Sequence, residues 1–231
     1  FRLPSKVSSA LILILILLIL GGLRLLLTNP YAVSNAPHAS QGILDLRNTQ
    51  LDQRHTLPLD GQWAFYSNSF MVSDPSNTTP SAWINVPGGW HKVLQPGSNE
   101  TKGYGSYRLH IRLNPAQVGS YKLMVKDIQT SFRIYANGAL IAQAGTPSKN
   151  VSNHTADVRL VLASLSEATE IDLIIEASTF ENSYRGGIAR SLKFGLSQAI
   201  ETENTYNVIM QIILLISLFL HAIYAGIIFL F

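Results

Sequence analysis

From Ser106 to Leu113 the chain alternates without a break. Tyr107, Leu109, Ile111 and Leu113 are apolar, and Arg108, His110 and Arg112 between them are polar or charged. A helix would scatter these residues round its circumference, whereas a strand sends the two sets to opposite faces. The segment therefore reads as a β-strand with one face buried and the other in water. Upstream, Val86-Pro87-Gly88-Gly89-Trp90 closes another strand. Proline cannot donate to a ladder, and Gly88-Gly89 opens backbone angles closed to other residues. Gln95-Pro96-Gly97-Ser98-Asn99, between the two, is turn chemistry throughout.

The same signals recur over residues 42–198. They predict strands at 43–47, 61–66, 81–86, 106–113, 120–125, 131–135, 139–144, 157–162, 170–177 and 190–196. Tyr121, Leu123 and Val125 alternate, as do Val158, Leu160 and Leu162, and Ile171, Leu173, Ile175 and Ala177. Asn137-Gly138 is the clearest hairpin signal, because Asn-Gly suits the type I′ turn whose twist matches its flanking strands. Residues 163–168 are the one stretch that suggests a helical turn. Ten short strands separated by turn residues imply an all-β antiparallel sandwich or barrel.

The chain is 47% hydrophobic but only 13% charged, where a soluble domain carries about 25% charged residues. The two ends account for the deficit. Val7 to Leu27 holds a single charge, Arg24, and is long enough to cross a bilayer as a helix. Arg2 and Lys6 before it place the start of the chain in the cytoplasm. A cleaved signal peptide is the competing reading. Val208 to Phe231 is a second apolar span without formal charge, preceded by Glu201 and Glu203. These flanks predict a membrane anchor at 1–28, a linker at 29–41, an extracytoplasmic domain at 42–198 and a further transmembrane helix at 206–231. Residues 29–205 then lie outside a cell membrane, and the lipid bilayer is a partner. The chain begins with Phe and stops inside an apolar run, which suggests a piece of a longer protein.

Lys and Arg are scattered, the net charge is +3 and there is no cysteine. Nucleic-acid binding, thiol chemistry and cysteine-ligated metal have no footing. The six histidines, His38, His55, His91, His110, His154 and His221, show no metal-ligand spacing. Asp127, Glu176 and Glu181 are the carboxylates available for acid–base work, and nothing in their spacing pairs them. No nucleophile elbow, phosphate loop or cofactor motif is present. Four Asn-x-Ser/Thr sequons begin at Asn77, Asn99, Asn150 and Asn153 and mark polar loops.

Two clusters of aromatic residues and glycine stand out, Gly89-Trp90-His91 with Gly103-Tyr104-Gly105, and Phe180 to Gly187. Tyr and Trp give apolar faces with a polar edge, which suits sugar rings. The candidate ligand surface is Trp90, His91, Tyr104, Asn182, Tyr184 and Arg185. The competing reading makes the loops plugs over the core, with Tyr107 in the core and Trp90 in either role.

In order along the chain, Val86-Pro87-Gly88-Gly89-Trp90, Tyr107-Arg108 and Ile134-Tyr135-Ala136-Asn137-Gly138 resemble the galactose-binding-like jelly-roll, including the sugar-binding domain of β-galactosidases. With Leu59-Asp60-Gly61-Gln62-Trp63, Arg185-Gly186-Gly187-Ile188 and Leu192-Lys193-Phe194-Gly195, residues 42–231 are similar to the extracellular domain of bacterial seven-transmembrane receptors with diverse intracellular signalling modules. That resemblance implies a ligand-sensing jelly-roll with no enzyme activity of its own. It further implies a small-molecule or carbohydrate ligand, a downstream transmembrane bundle and a cytoplasmic output such as a cyclase or kinase. The alternative is the accessory carbohydrate-binding jelly-roll of an exported glycoside hydrolase.

Overall fold

Tyr107 sits at the middle of the larger of two packed sheets. The computed structural model describes residues 30, 31, 33, 35–74, 79–94, 97, 100–117, 119–181 and 186–230, the side chains at 220, 221 and 224–230 excepted. In chain order the strands are β1 (Ile43–Leu46), β2 (Leu57–Pro58), β3 (Gly61–Ser67), β4 (Ala82–Val86), β5 (Gly103–Leu113), β6 (Tyr121–Val125), β7 (Ile128–Gln129), β8 (Ser131–Ala136), β9 (Ala139–Ala144), β10 (Val161–Leu165), β11 (Glu170–Thr179), β12 (Gly187–Ile188) and β13 (Lys193–Leu196). Two helices accompany them, α1 (His91–Leu94) and α2 (Ser197–Leu230).

The larger sheet runs β4-β3-β5-β11-β8-β9 and the smaller β10-β6-β13-β2, with β12-β7 as a short separate ladder. β5 is long enough to take two neighbours on one edge. β3 pairs antiparallel with Gly105–Arg108, and β1 pairs parallel with His110–Leu113. The inward face of the larger sheet carries Phe65, Tyr107, Ile175 and Ile134 in one cross-strand row, all buried. Leu123 and Phe194 form the matching row of the smaller sheet, and all six belong to one continuous core. The alternation of β5 is met residue for residue. Tyr107, Leu109, Ile111 and Leu113 are buried, Arg108 is exposed, and His110 and Arg112 are partly so. The Asn137-Gly138 turn joins β8 to β9 with both residues at positive φ, 48° and 81°, as a type I′ turn requires. The antiparallel β-sandwich is therefore present.

Six elements differ from expectation. The strand predicted at 157–162 starts four residues later, at Val161. Its buried residues are Ala163 and Leu165, while Val158, Leu160 and Leu162 are exposed. Two overlapping apolar alternations exist here, and pairing with β6, Ala163 against Leu123 and Leu165 against Tyr121, selects the later one. Residues 163–165 are thus strand and not helical turn. The last strand starts at Lys193, not Arg190. The two-residue strands β2, β7 and β12 carry too few residues to show a period.

Helix α2 begins at Ser197, directly after β13, and not near Val208. Ser197 anchors its start: its N–H and hydroxyl both donate to the Ser120 carbonyl, at 2.8 and 3.0 Å. The unit Val33–Glu203 includes the first two turns of α2, and residues from Asn204 belong to a second unit. There the Tyr206 ring meets that of Tyr31 edge-on, centroids 5.2 Å apart. The first predicted span, residues 7–27, lies outside the described residues. Among the described residues no helix is long and apolar enough to cross a membrane.

Candidate functional site

The two loop clusters named above do meet. Gly88 N–H donates to the Ile188 carbonyl at 2.9 Å and Trp90 N–H to that of Gly186 at 3.3 Å. Gly186 and Gly187 are required here. A Cβ on Gly186 would stand 2.0 Å from Trp90 Nε1, and one on Gly187 2.1 Å from the Tyr107 hydroxyl. The consequence is a plug. Trp90 is 0% exposed, stacks on Tyr107 with centroids 6.1 Å apart and planes at 13°, and donates from Nε1 to the Thr101 carbonyl at 2.8 Å. Of the two roles open to Trp90, the structure shows the core one. Tyr107 is core as well, and burial pushes its phenol pKa up.

His91, on α1, is half-buried, and its Nδ1 has no hydrogen-bond partner among the described residues. Tyr104 is half-buried against Phe70, centroids 5.2 Å apart, and not against Trp90. Asn182, Tyr184 and Arg185 lie outside the described residues. Of the candidate surface the described residues thus show Trp90 in the core and His91 and Tyr104 partly exposed.

The outward face of the larger sheet is where polar chemistry collects. At one end the segment 68–74 crosses it. Met71 N–H donates to Ser106 Oγ (3.0 Å), that hydroxyl donates to the Ser69 carbonyl (2.8 Å), and Val72 N–H donates to Glu176 Oε1 (3.0 Å). Burial pushes the Glu176 carboxyl above the usual range against the Val72 N–H and Arg133, whose Nη1 stands 3.8 Å from Oε2. Next to it His154 ties three segments. Its Nδ1 lies 3.0 Å from Ser178 Oγ and 3.2 Å from Ser131 Oγ, and its Nε2 lies 3.1 Å from Thr130 Oγ1. Ser148 N–H donates to Ser178 Oγ and Ser131 Oγ–H to the Ser178 carbonyl. Ser178 then donates to Nδ1, and Nε2–H to Thr130, an assignment that suits a neutral imidazole. Ser131 and Ser178 are fully buried, so this serine–histidine contact is a brace and offers no surface to a substrate.

Beyond that segment Trp83 stands 45% exposed, next to the buried Ala64 of β3. Its signal was present in the alternation of Ala82, Ile84 and Val86, which turns Trp83 outward. A tryptophan in the polar register of a strand is the mark that the loop-centred reading passed over. No local signal points to His154, whose hydrogen-bond partners come from positions 130, 131 and 178.

On the smaller sheet, Glu203 of α2 is wholly buried. It accepts from the Thr56 hydroxyl, with Lys126 Nζ at 3.8 Å and Lys193 Nζ at 4.0 Å from Oε1. Burial lowers the Lys126 pKa against the opposing charge of Glu203. Glu201 adds an ion pair with Lys122. A cleft of about 180 Å³ lies between Gln117, Gly119, Tyr121 and residues 167–169. Gln117 is held by the backbone of Leu51, and Tyr121 by that of Gln117, so the amide and the phenol there are already engaged.

No protein-family profile matches the chain, and no curated protein matches it in sequence. Among solved structures it is similar to a GH2 β-galacturonidase from Eisenbergiella tayi bound to galacturonate, at 17% identity and TM-score 0.44 over 65% of this chain and 26% of that one. The β-glucuronidase of Ruminococcus gnavus gives 16%, 0.45, 64% and 29% in the same measures. That of Faecalibacterium prausnitzii gives 17%, 0.46, 64% and 32%. The match spans about a third or less of those chains, and the likeness is one of β-sandwich fold alone.

Proposed function

We propose that residues 42–198 are a binding module, serving as the extracytoplasmic ligand sensor of a bacterial membrane signalling receptor and passing occupancy to helix α2. The observation that carries this reading is α2 itself. Ala199, Ile200 and Glu203 are buried in the domain, and the same unbroken helix then exposes Val208, Ile209, Leu218, Phe219 and all five residues from Ile212 to Ile216. Five consecutive positions at 3.6 per turn go right round a helix. An apolar face on every side suits lipid or the interior of a bundle, not one partner laid along a stripe. With no linker between β13 and α2, a shift of the sheet acts on the helix directly. A downstream bundle and a cytoplasmic cyclase or kinase would complete such a receptor.

A second reading makes the sandwich the accessory carbohydrate-binding domain of an exported glycoside hydrolase. The order of its Val86–Trp90, Tyr107-Arg108 and Ile134–Gly138 signals supports it. The solved structures named above are enzymes of that class, at a likeness confined to fold. Both readings make the sandwich a binding module, and they part at α2. Alkaline phosphatase fused after Gln198 is expected to be active and fused after Phe231 inactive. Activity at both positions would favour the exported enzyme, and activity after Phe231 alone would overturn the orientation.

A further inference from the structure

The chain crosses from one sheet to the other along a side of the sandwich where both sheets end. β9 is an edge strand of the larger sheet and β10 an edge strand of the smaller. Thr146, just past β9, exchanges two backbone hydrogen bonds with Thr155, at 2.8 and 3.2 Å, and residues 156–160 then lead into β10. Two bonds pin this crossing. Asp157 N–H donates to the Thr130 carbonyl at 2.9 Å, and Arg159 Nη2 to that of Gln143 at 3.1 Å. Arg159 Nε stands 3.3 Å from Asp157 Oδ2, both side chains are exposed, and Val158 lies between them in the chain, also exposed. Nine large hydrophobic residues are exposed among the described residues of 33–203, and five of them fall between Leu140 and Leu162. An edge strand left to water is commonly guarded by charge or proline. From Leu160 to Ser166 there is neither.

We infer that this side of the sandwich is an interface between two copies of the chain, related by a two-fold axis through Val158. The order Asp157-Val158-Arg159 is complementary to itself. Laid antiparallel on a second copy, it sets Asp157 against the partner's Arg159 and Arg159 against the partner's Asp157. Val158 then meets its own counterpart, and Leu160 meets the partner's Ala156. Opposite charges directly across an antiparallel pair stabilise it, and like charges destabilise it. A contact in which the same patch serves both copies closes on itself and stops at two. An unrelated strand would need the same two charges at the same spacing, whereas a second copy supplies them by symmetry. The interface goes beyond the binding-module reading and is independent of what the module binds.

The test is disulfide trapping of the full chain in detergent. The chain has no cysteine, so a single introduced one reports only its own neighbourhood. Residues directly opposite in an antiparallel pair stand about 4.5–5.5 Å apart between Cα atoms, within the roughly 4.4–6.8 Å that a disulfide spans. Val158→Cys under mild oxidation is therefore expected to run as a covalent dimer on a non-reducing gel. Val151→Cys, at a position 67% exposed against 50% for Val158 but away from the axis, should stay monomeric. Adding Asp157→Arg or Arg159→Asp to Val158→Cys should lower the cross-linked fraction about fivefold, and adding both should restore it, with melting unchanged throughout. A monomeric Val158→Cys would overturn the interface and leave the edge to a different chain. Equal cross-linking of Val151→Cys, or a double reversal that behaves like the single ones, would overturn it as well.

Discussion

His154 shows what one side chain does when its partners arrive from two distant stretches of the chain. Burial lowers its pKa below 6.5, although the charge of Glu181 pulls the other way. The groups facing it are the hydroxyls of Thr130, Ser131 and Ser178 and the ring of Phe180, 5.3 Å away edge-on. The folded chain thus takes up a proton at lower pH than the unfolded one. The stability that neutral His154 contributes is present above pH 6.5 and is lost as pH falls through that value towards the folded pKa. His154→Gln leaves hydroxyls poorly partnered and should cost about 1–3 kcal/mol at neutral pH. Melting of the two proteins at about pH 7.5 and about pH 5 should show the gap narrowing on acidification; a gap that widens would refute the neutral assignment. Nothing in Asn153-His154-Thr155 announces this role, because every partner is distant in sequence.

At the scale of elements, β10 is the instructive case. Two apolar alternations overlap between Val158 and Leu165, and a strand can bury only one of them, since a shift of one residue sends each side chain to the opposite face. Leu165 is 5% exposed and Leu162 36%. Leu165→Ala should therefore cost about 2–4 kcal/mol, while Leu162→Ala should stay within about 0.5 kcal/mol. Thermal melts of the two variants decide it, and equal losses would mean that the strand had slipped. β5 offered no such choice: its outward set is Arg108, His110 and Arg112, and burying those in place of Tyr107, Leu109 and Ile111 would strand charge in the core. Strands with a polar set were legible in the sequence, and those with two apolar sets were not.

Across the whole molecule, the attachment of α2 rests on Glu203. Thr56, Lys126 and Lys193 come from three separate segments to meet it. Removing a buried carboxylate leaves two lysines without their counter-charge. Glu203→Ala should cost about 2–4 kcal/mol, somewhat less than a fully buried pair because Lys126 and Lys193 retain some solvent. Glu203→Gln, which can still accept from Thr56, should cost less. Urea denaturation of the full chain measures both, and a cost for Glu203→Ala under about 0.5 kcal/mol would show that the seam is not held there. The sequence by itself determined the all-β class, the faces of the strands with one polar set and the Asn137-Gly138 turn, because alternation and turn chemistry are properties of neighbouring residues. Tertiary structure alone decided that Trp90 goes inside, whereas the alternation of β4 already turned Trp83 outward. It also chose the register of β10 and started α2 at Ser197. Each of these depends on which distant segment supplies the partner: Gly186 and Tyr107 for Trp90, β6 for β10, Ser120 and the buried ions for α2. Contacts made between segments far apart in the chain leave no periodic trace in either one.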